Sequence, residues 1–296
     1  MRLLHFKDKT GYRLGVQTSK GVCDIAQAAS ALKASNIPTT LEAVFSQGTS
    51  ELAELIETTA MKQANAPWMR DQSQLSFGPC VLNPNKILCI GLNYRRHAAE
   101  TGQPIPEIPI VFSKFRNTLA ASGDRIPLPP TAVQYDYEAE LVVVIGKKCK
   151  YVPEDKALEV VFGYCNGNDV SARDLQLRTS QWLLGKTPDR FFPTGPYLVT
   201  ADEVGDPHAL KMRCWVNDEC RQDSNTGDMI FKVPRLVSYI SQYMTLEPGD
   251  VISTGTPSGV IIGMQSKVWL KSGDEVSVEI EKLGRLTNTL QADTGG

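Results

Sequence analysis

The segment Asp136-Tyr137-Glu138-Ala139-Glu140 runs directly into the apolar stretch Leu141-Val142-Val143-Val144-Ile145. Such a stretch reads as a β-strand, in which alternate side chains share a face. Glu138 and Glu140 then point the same way, and Val142 and Val144 carry that face into the interior. Two carboxylates side by side at the edge of an apolar core repel each other and lose hydration. They stay ionised only if a cation or several donors stand between them. A divalent metal is the simplest reading and makes the strand end a candidate active site. A solvated edge strand is the plainer alternative for any isolated Glu-x-Glu.

The rest of the composition narrows the choices. At 296 residues, 42% hydrophobic and 22% charged, the chain suits one large domain, or a large one with a small one. A net charge of -2 supplies no field that favours nucleic acid or an anionic membrane. The opening Met1-Arg2-Leu3-Leu4-His5-Phe6-Lys7 is too short and interrupted for a signal h-region. No apolar run approaches the ~20 residues of a spanning helix, so the expected location is the cytosol. Seven cysteines without a Cys-x-x-Cys pair argue for free thiols rather than a disulfide framework or zinc site. With only His5, His97 and His208, a nitrogen-rich metal site is also disfavoured. Oxygen ligands remain, which suit Mg²⁺, Mn²⁺ or Ca²⁺.

Residues 1–75 read as a small N-terminal α/β module. Strand-like segments (Arg2 to Phe6, Arg13 to Gln17, Val22 to Ile25) precede helical ones (Ala26 to Ala34, Thr40 to Phe45, Glu51 to Met61). The polar passage Lys62 to Gln74 links them to residues 80–290, a β-rich α+β catalytic domain. There, short apolar segments recur between turn signals: Lys86 to Ile90, Ile110 to Phe112, Glu140 to Ile145, Lys211 to Val216, Asp250 to Ser253 and Glu275 to Ile280. Asn217-Asp218 reads as a hairpin turn. Helices are expected over Asn93 to Thr101, with Asn93 as N-cap, over Ser171 to Leu184, and over Val233 to Tyr243.

Several groups add to the carboxylate pair. Asp169 follows an apolar run and precedes a helix in which Ser171 and Asp174 have capping-box spacing. Glu138, Glu140 and Asp169 together would make a hard-cation site with positions open to water or substrate. His97 and Glu100, at i and i+3, share a helix face. A carboxylate beside an imidazole fixes its tautomer and raises its basicity, as a water-activating base requires. Taken alone, the pair reads more simply as an exposed surface contact. Gly185-Lys186-Thr187 lacks the first glycine of a phosphate loop, since position 180 is Ser180, and Gln181-Trp182-Leu183-Leu184 is too bulky for one. Lys186 can instead stabilise an enolate or carboxylate, or be a surface ammonium on a buried stem. The turn Ser253-Thr254-Gly255-Thr256-Pro257-Ser258-Gly259 offers N–H groups and a threonine hydroxyl to a carboxylate, as other tight loops do.

In sequence order these segments resemble the fumarylacetoacetate hydrolase family. The resemblance spans Lys86 to Asn288 and rests on Gly91-Leu92-Asn93-Tyr94 with His97 and Glu100, Asp136-Tyr137-Glu138-Ala139-Glu140-Leu141, and Asn168-Asp169-Val170-Ser171-Ala172-Arg173-Asp174. Gly185-Lys186, Pro193-Thr194-Gly195-Pro196 and Thr254-Gly255-Thr256-Pro257-Ser258-Gly259 complete it. The chain is most similar to the short bacterial acylpyruvase and oxaloacetate decarboxylase type. The resemblance implies a mixed β-sandwich roll, a homodimer, and Mg²⁺ or Mn²⁺ held by Glu138, Glu140 and Asp169. It further implies that Lys186 contacts the substrate enolate, that Arg173 and Gln176 line the pocket, and that Thr256 binds the substrate carboxylate. The His97–Glu100 segment would be a lid. One departure is Arg190, where relatives often carry a small residue.

The expected activity is cleavage of a C–C bond β to a carbonyl in a small 2-oxo acid, through a pyruvate-type enolate. Acylpyruvate hydrolysis comes first, with His97 and Glu100 activating water. Oxaloacetate decarboxylation and 2-oxo acid isomerisation or tautomerisation share the same enolate. The competing class is a non-enzymatic protein with a structural Ca²⁺ on the three acids.

Overall fold

A computed structural model describes residues 1–59 and 66–294. The apolar run around Leu141 forms the strand Ala139–Ile145, buried along its whole length near the centre of an eleven-stranded mixed sheet. Ten strands form a continuous path: Met69–Arg70, Gly21–Asp24, Gly11–Thr18, Arg2–Asp8, Phe192–Thr200, Val161–Asn168, Ala139–Ile145, Val251–Ser253, Ile87–Gly91 and Ile110–Lys114. The short Leu119–Ala120 pairs off that path with Phe192–Thr200. Residues 1–75 therefore contribute four strands to the same sheet that carries Glu140. A five-stranded sheet lies in the order Glu219–Asn225, Lys211–Val216, Glu275–Ile280, Arg285–Ala292 and Arg125–Leu128.

Period-two alternation divides the central strand between two cores. Leu141, Val143 and Ile145 pack in one cluster with Met212, Cys214, Val276, Val278 and Leu286 of the five-stranded sheet. Val142 and Val144 belong to a second cluster with Ile25, Leu41, Val44, Leu52 and Leu55 from the N-terminal helices. Those helices are Ile25–Ala31, Leu41–Gln47 and Ser50–Thr59. The glutamate face thus continues into this second core, as the alternation predicts. Met61 and residues 62–65 of the expected linker lie outside the described residues.

The hairpin forms at Asn217, with φ of 54° between Lys211–Val216 and Glu219–Asn225. The helix Val233–Tyr243 is present. The expected helix over Ser171 to Leu184 is instead broken into Arg173–Gln176 and Leu183–Lys186. Ser171–Ala172 pairs as a short strand with Tyr135–Asp136, which delays the helix start. The Ser171–Asp174 capping box does not form: Ser171 Oγ donates to the Asp169 carbonyl, while Asp174 accepts from Val133 N. Asn93 is likewise not an N-cap. Its amide bonds Phe231 and the Thr254 carbonyl, and the helix Arg95–Glu100 starts after Tyr94. All seven cysteines are free, and no helix among the described residues is long and apolar enough to cross a membrane.

Candidate active site

Glu138, Glu140 and Asp169 converge where the Ala139–Ile145 and Val161–Asn168 strands end side by side. Ala139 pairs with Asn168 in that ladder, and the Asp169 N–H donates to the Glu138 carbonyl at 2.9 Å. Each acid presents an oxygen within 4.8 Å of the others, and all three are buried. An all-oxygen donor set of three carboxylates fits a hard divalent cation. The charge is balanced by lysine and arginine. Lys186 Nζ donates to Glu138 Oε2 at 2.6 Å and to Asp169 Oδ2 at 2.9 Å. Arg173 Nη2 donates to Glu138 Oε1 at 2.7 Å.

Burial would raise the Glu138 carboxyl, but the charges of Lys186 and Arg173 outweigh it and hold its pKa at about 2. Among the described residues no lysine or arginine is in ion-pair contact with Glu140, and the more distant Lys186 lowers its pKa only in small part. Burial, then the charges of Asp169 and Glu138, push its pKa well above the ordinary glutamate value. Ser253 Oγ at 2.5 Å and Gly255 N at 2.9 Å, both donating to Oε2, only partly offset this. Gly255 adopts φ of 96°, and a Cβ there would lie 2.8 Å from Asn93 Cβ. A side chain at that position would therefore shift the donor off Glu140.

Lys186 owes its placement to the break in the expected helix. A Cβ on Gly185 would lie 2.4 Å from Gln176 N, so only glycine lets the two short helices pack this closely. Burial works against the Lys186 ammonium, yet Asp169 and Glu138 keep its pKa raised. Beneath it lies Lys114, 2% exposed, with Nζ 2.7 Å from Asp169 Oδ1. Its three N–H groups donate to the carbonyls of Val170, Lys186 and Phe191. The contact with Asp169 is an ion pair without directed hydrogen-bond geometry. Desolvation lowers the Lys114 pKa, with Asp169 opposing and Lys186 reinforcing the shift.

Arg173 is held from behind by Asp136, whose Oδ2 accepts from its Nε at 2.9 Å. The same carboxylate accepts from the N–H groups of Tyr137, Ile261 and Ile262, tying the guanidinium to the 261–262 loop. Arg173 Nη1 donates to Gln176 Oε1 at 2.9 Å.

Above the acids opens a cavity of about 590 Å³. His97, Glu100, Glu138, Glu140, Arg173, Gln176, Lys186 and Thr256 all line it, with Asp169 directly beneath Lys186. The structure thus brings together all nine residues singled out from sequence. His97 Nδ1 lies 2.8 Å from Glu100 Oε1, and Glu100 Oε2 accepts from Gly259 N at 2.9 Å. The carboxylate can only accept, so Nδ1 carries a proton, and Nε2 is the ring nitrogen turned away from Glu100. Phe112, Trp182, Leu92, Leu177, Ile262 and Met264 supply apolar wall. Arg190 does not line the cavity: it is exposed and donates to the Arg125 carbonyl at 3.2 Å.

Sequence reasoning overlooked Lys114, Ser253 as a donor to Glu140, Asp136 as the anchor of Arg173, and the Trp182 wall. Only Lys114 carried a usable signal. In Ile110–Lys114 it alternates onto the face of Ile110 and Phe112, an unusual place for an unpaired ammonium.

The fumarylacetoacetate (FAA) hydrolase C-terminal profile matches residues 86–291. The chain is 42% identical over 294 residues to oxaloacetate tautomerase FAHD2A, mitochondrial, of Bos taurus, covering 97% of this chain and 91% of that protein. Among solved structures it resembles fumarylacetoacetate hydrolase from Exiguobacterium antarcticum, with a TM-score of 0.82 and 32% identity over 99% of this chain and all of that one. It also resembles maleylpyruvate hydrolase from Sphingobium sp. SYK-6, with a TM-score of 0.78 and 31% identity, again over 99% of this chain and all of that one. The mixed, sheet-rich α+β architecture and the matched residues agree: the chain belongs to the fumarylacetoacetate hydrolase family.

Proposed function

We propose that the site acts on a small 2-oxo acid by forming and protonating its pyruvate-type enolate, with oxaloacetate keto–enol tautomerisation as the first reaction to test. The observation that carries this reading is the position of Lys186. Its ammonium bridges Glu138 and Asp169 on the cavity floor, where a developing enolate oxygen would find fixed positive charge. When Mg²⁺ or Mn²⁺ is bound by Glu138, Glu140 and Asp169, it supplies a Lewis acid for the 2-oxo and carboxylate oxygens.

The remaining steps fall to side chains. Thr256 donates to the substrate carboxylate, while Arg173 and Gln176 shape the adjoining wall. His97 Nε2 takes a proton from C3 of the keto acid, and Glu100 stabilises the imidazolium that results. The electron pair left at C3 shifts to the carbonyl oxygen, near Lys186, as the enolate. Protonation on oxygen or on carbon then gives the enol or the keto form. The tautomerase named above, 42% identical over nearly the whole chain, supports this choice.

Acylpyruvate hydrolysis, first among the expectations from sequence, is retained as a second reading because His97 Nε2 is free to take a proton from water. The hydroxide equivalent would attack the distal carbonyl. The C–C bond breaks, and its electron pair leaves with pyruvate as the same enolate. The 31% identical maleylpyruvate hydrolase supports this version. Oxaloacetate decarboxylation would need no water. A cation held only for structure would leave Lys186 and the His97–Glu100 pair without use. The homodimer belongs to the same proposal, since Ile110–Lys114 ends the sheet with Val111 exposed on it. Light scattering tests it.

The deciding experiment is a substrate panel with Mg²⁺ and with Mn²⁺. It compares ketonisation of enol-oxaloacetate, CO₂ release from oxaloacetate and cleavage of acylpyruvates. Ketonisation with the highest kcat/KM supports the first reading. Dominant acylpyruvate cleavage would replace it with the second.

A further inference from the structure

Gln222 belongs to the Glu219–Asn225 strand of the five-stranded sheet, yet its buried amide reaches the floor of the site. Oε1 accepts from the Ala139 N–H at 3.0 Å, between the two glutamates. Nε2 donates to Thr256 Oγ1 at 2.9 Å and to the Pro257 carbonyl at 2.9 Å. Two of these partners act in only one way, which fixes the orientation of the amide. A backbone N–H only donates, and a carbonyl oxygen only accepts. Oε1 must therefore face Ala139, and Nε2 must face Pro257 and Thr256. The Thr256 hydroxyl is left as the recipient of a hydrogen bond, so its own proton has to be given elsewhere. Among the described residues no protein acceptor takes it, and the side chain lines the cavity.

We propose that Gln222 is a positioning residue that commits the Thr256 hydroxyl to donating into the cavity, selecting a substrate end that only accepts, such as a carboxylate. The inference rests on the reading that Thr256 contacts the 2-oxo acid. The same amide spans from Thr256 to Ala139, so one side chain sets the distance between the carboxylate donor and the acid pair. Neither a leucine nor a glutamate could do both, since the first has no polar atoms and the second has no N–H.

The test uses oxalate, an inert stand-in for the 2-oxo acid end, titrated calorimetrically into Mg²⁺-loaded protein. It compares the wild type, Gln222→Leu, Thr256→Val and the double variant. Each single variant should weaken oxalate about 10-fold or more, as loss of one hydrogen bond to a charged group does. The double variant should lose no more than about threefold beyond either single one, because both remove the same interaction. KM for oxaloacetate should rise in parallel while kcat stays within about threefold, the signature of lost binding. Thr256→Ser should retain wild-type affinity.

Should Thr256→Val leave oxalate binding unchanged, the reading of Thr256 itself fails. Should it weaken binding while Gln222→Leu does not, or should the two losses multiply, the role of Gln222 is overturned and the reading of Thr256 stands. Mn²⁺ affinity, followed by electron paramagnetic resonance, should fall less in Gln222→Leu than oxalate affinity does, because Gln222 touches only the backbone between the acids and none of their carboxylates. A parallel loss would move the effect to the glutamates and also overturn the proposal. If Gln222→Leu does not fold, Gln222→Glu keeps the shape but offers an acceptor to the threonine proton. Retained oxalate affinity in that variant would contradict the proposal.

Discussion

On the floor of the cavity, Glu138, Asp169, Lys186 and Arg173 lie 2.6–2.9 Å from opposite charges, and the acids sit at the ends of paired central strands. On the facing wall, His97 and Glu100 ride the six-residue helix Arg95–Glu100, tied at its start to the backbone and carboxylate of residues 228–229 and at its end by one bond from Gly259 N. The floor thus holds its charges through a network in which each group has several partners. The wall holds one proton-transfer pair through a single short element. We read the difference as a division of labour: the floor stabilises negative charge on any 2-oxo acid, and the wall determines which proton or water is moved. Chemistry shared by the alternative reactions should therefore fail with the floor, and chemistry that differs among them should fail with the wall.

The largest effect is expected at the floor. Asp169→Asn should abolish Mn²⁺ binding and lower kcat/KM by at least about 10³-fold on every substrate, at or beyond the usual cost of one oxyanion donor. Steady-state kinetics beside a metal titration checks this. Survival of one reaction would break the notion of a shared floor. Lys186→Met should follow, with kcat reduced about 10²–10³-fold and metal affinity retained. The wall should discriminate. His97→Ala is expected to lower acylpyruvate cleavage by at least about 10²-fold while oxaloacetate decarboxylation largely survives. Equal losses, measured on the two substrates side by side, would contradict the division.

The smallest effect concerns pH. Because burial and its acidic neighbours raise the Glu140 pKa, the metal-free fold holds a proton there above the ordinary glutamate value of 4.5. Cation binding must expel that proton, so Mn²⁺ affinity should fall on acidification, approaching about tenfold per pH unit below the Glu140 pKa. The sign for stability follows from the same shift. A raised folded-state pKa contributes stability at low pH, and that contribution is lost as pH rises through it. Glu138 works oppositely: its contribution is present above about 4.5 and is lost as pH falls toward 2. Thermal melts of the metal-free wild type, Glu140→Gln and Glu138→Gln separate the two.

Much of the floor was legible because it rests on local pattern. The two-residue period at Glu138 and Glu140 and the apolar run before Asp169 are enough to bring three acids to adjacent strand ends. What escaped notice depends on distant partners. Lys114 binds the carbonyls of Val170, Lys186 and Phe191, and Gln222 reaches Ala139 from the other sheet. The Ser171 to Leu184 helix failed for a related reason. Pairing of Ser171–Ala172 with Tyr135–Asp136, and the pull of Asp136 and Glu138 on Arg173, override local helix signals. The division of residues 1–75 from the remainder rests on the polar passage Lys62 to Gln74. A polar passage does not reveal that Arg2–Asp8 pairs with Phe192–Thr200.

The central claim is that Glu138, Glu140 and Asp169 hold a divalent cation where an enolate forms. Exchange of the pyruvate methyl protons in D₂O, followed by proton NMR, reports enolate formation whichever bond the natural reaction breaks. The account predicts exchange that requires Mg²⁺ or Mn²⁺, is removed by a chelator and is absent in Asp169→Asn. Exchange that persists at the wild-type rate in the chelated protein or in Asp169→Asn would contradict it.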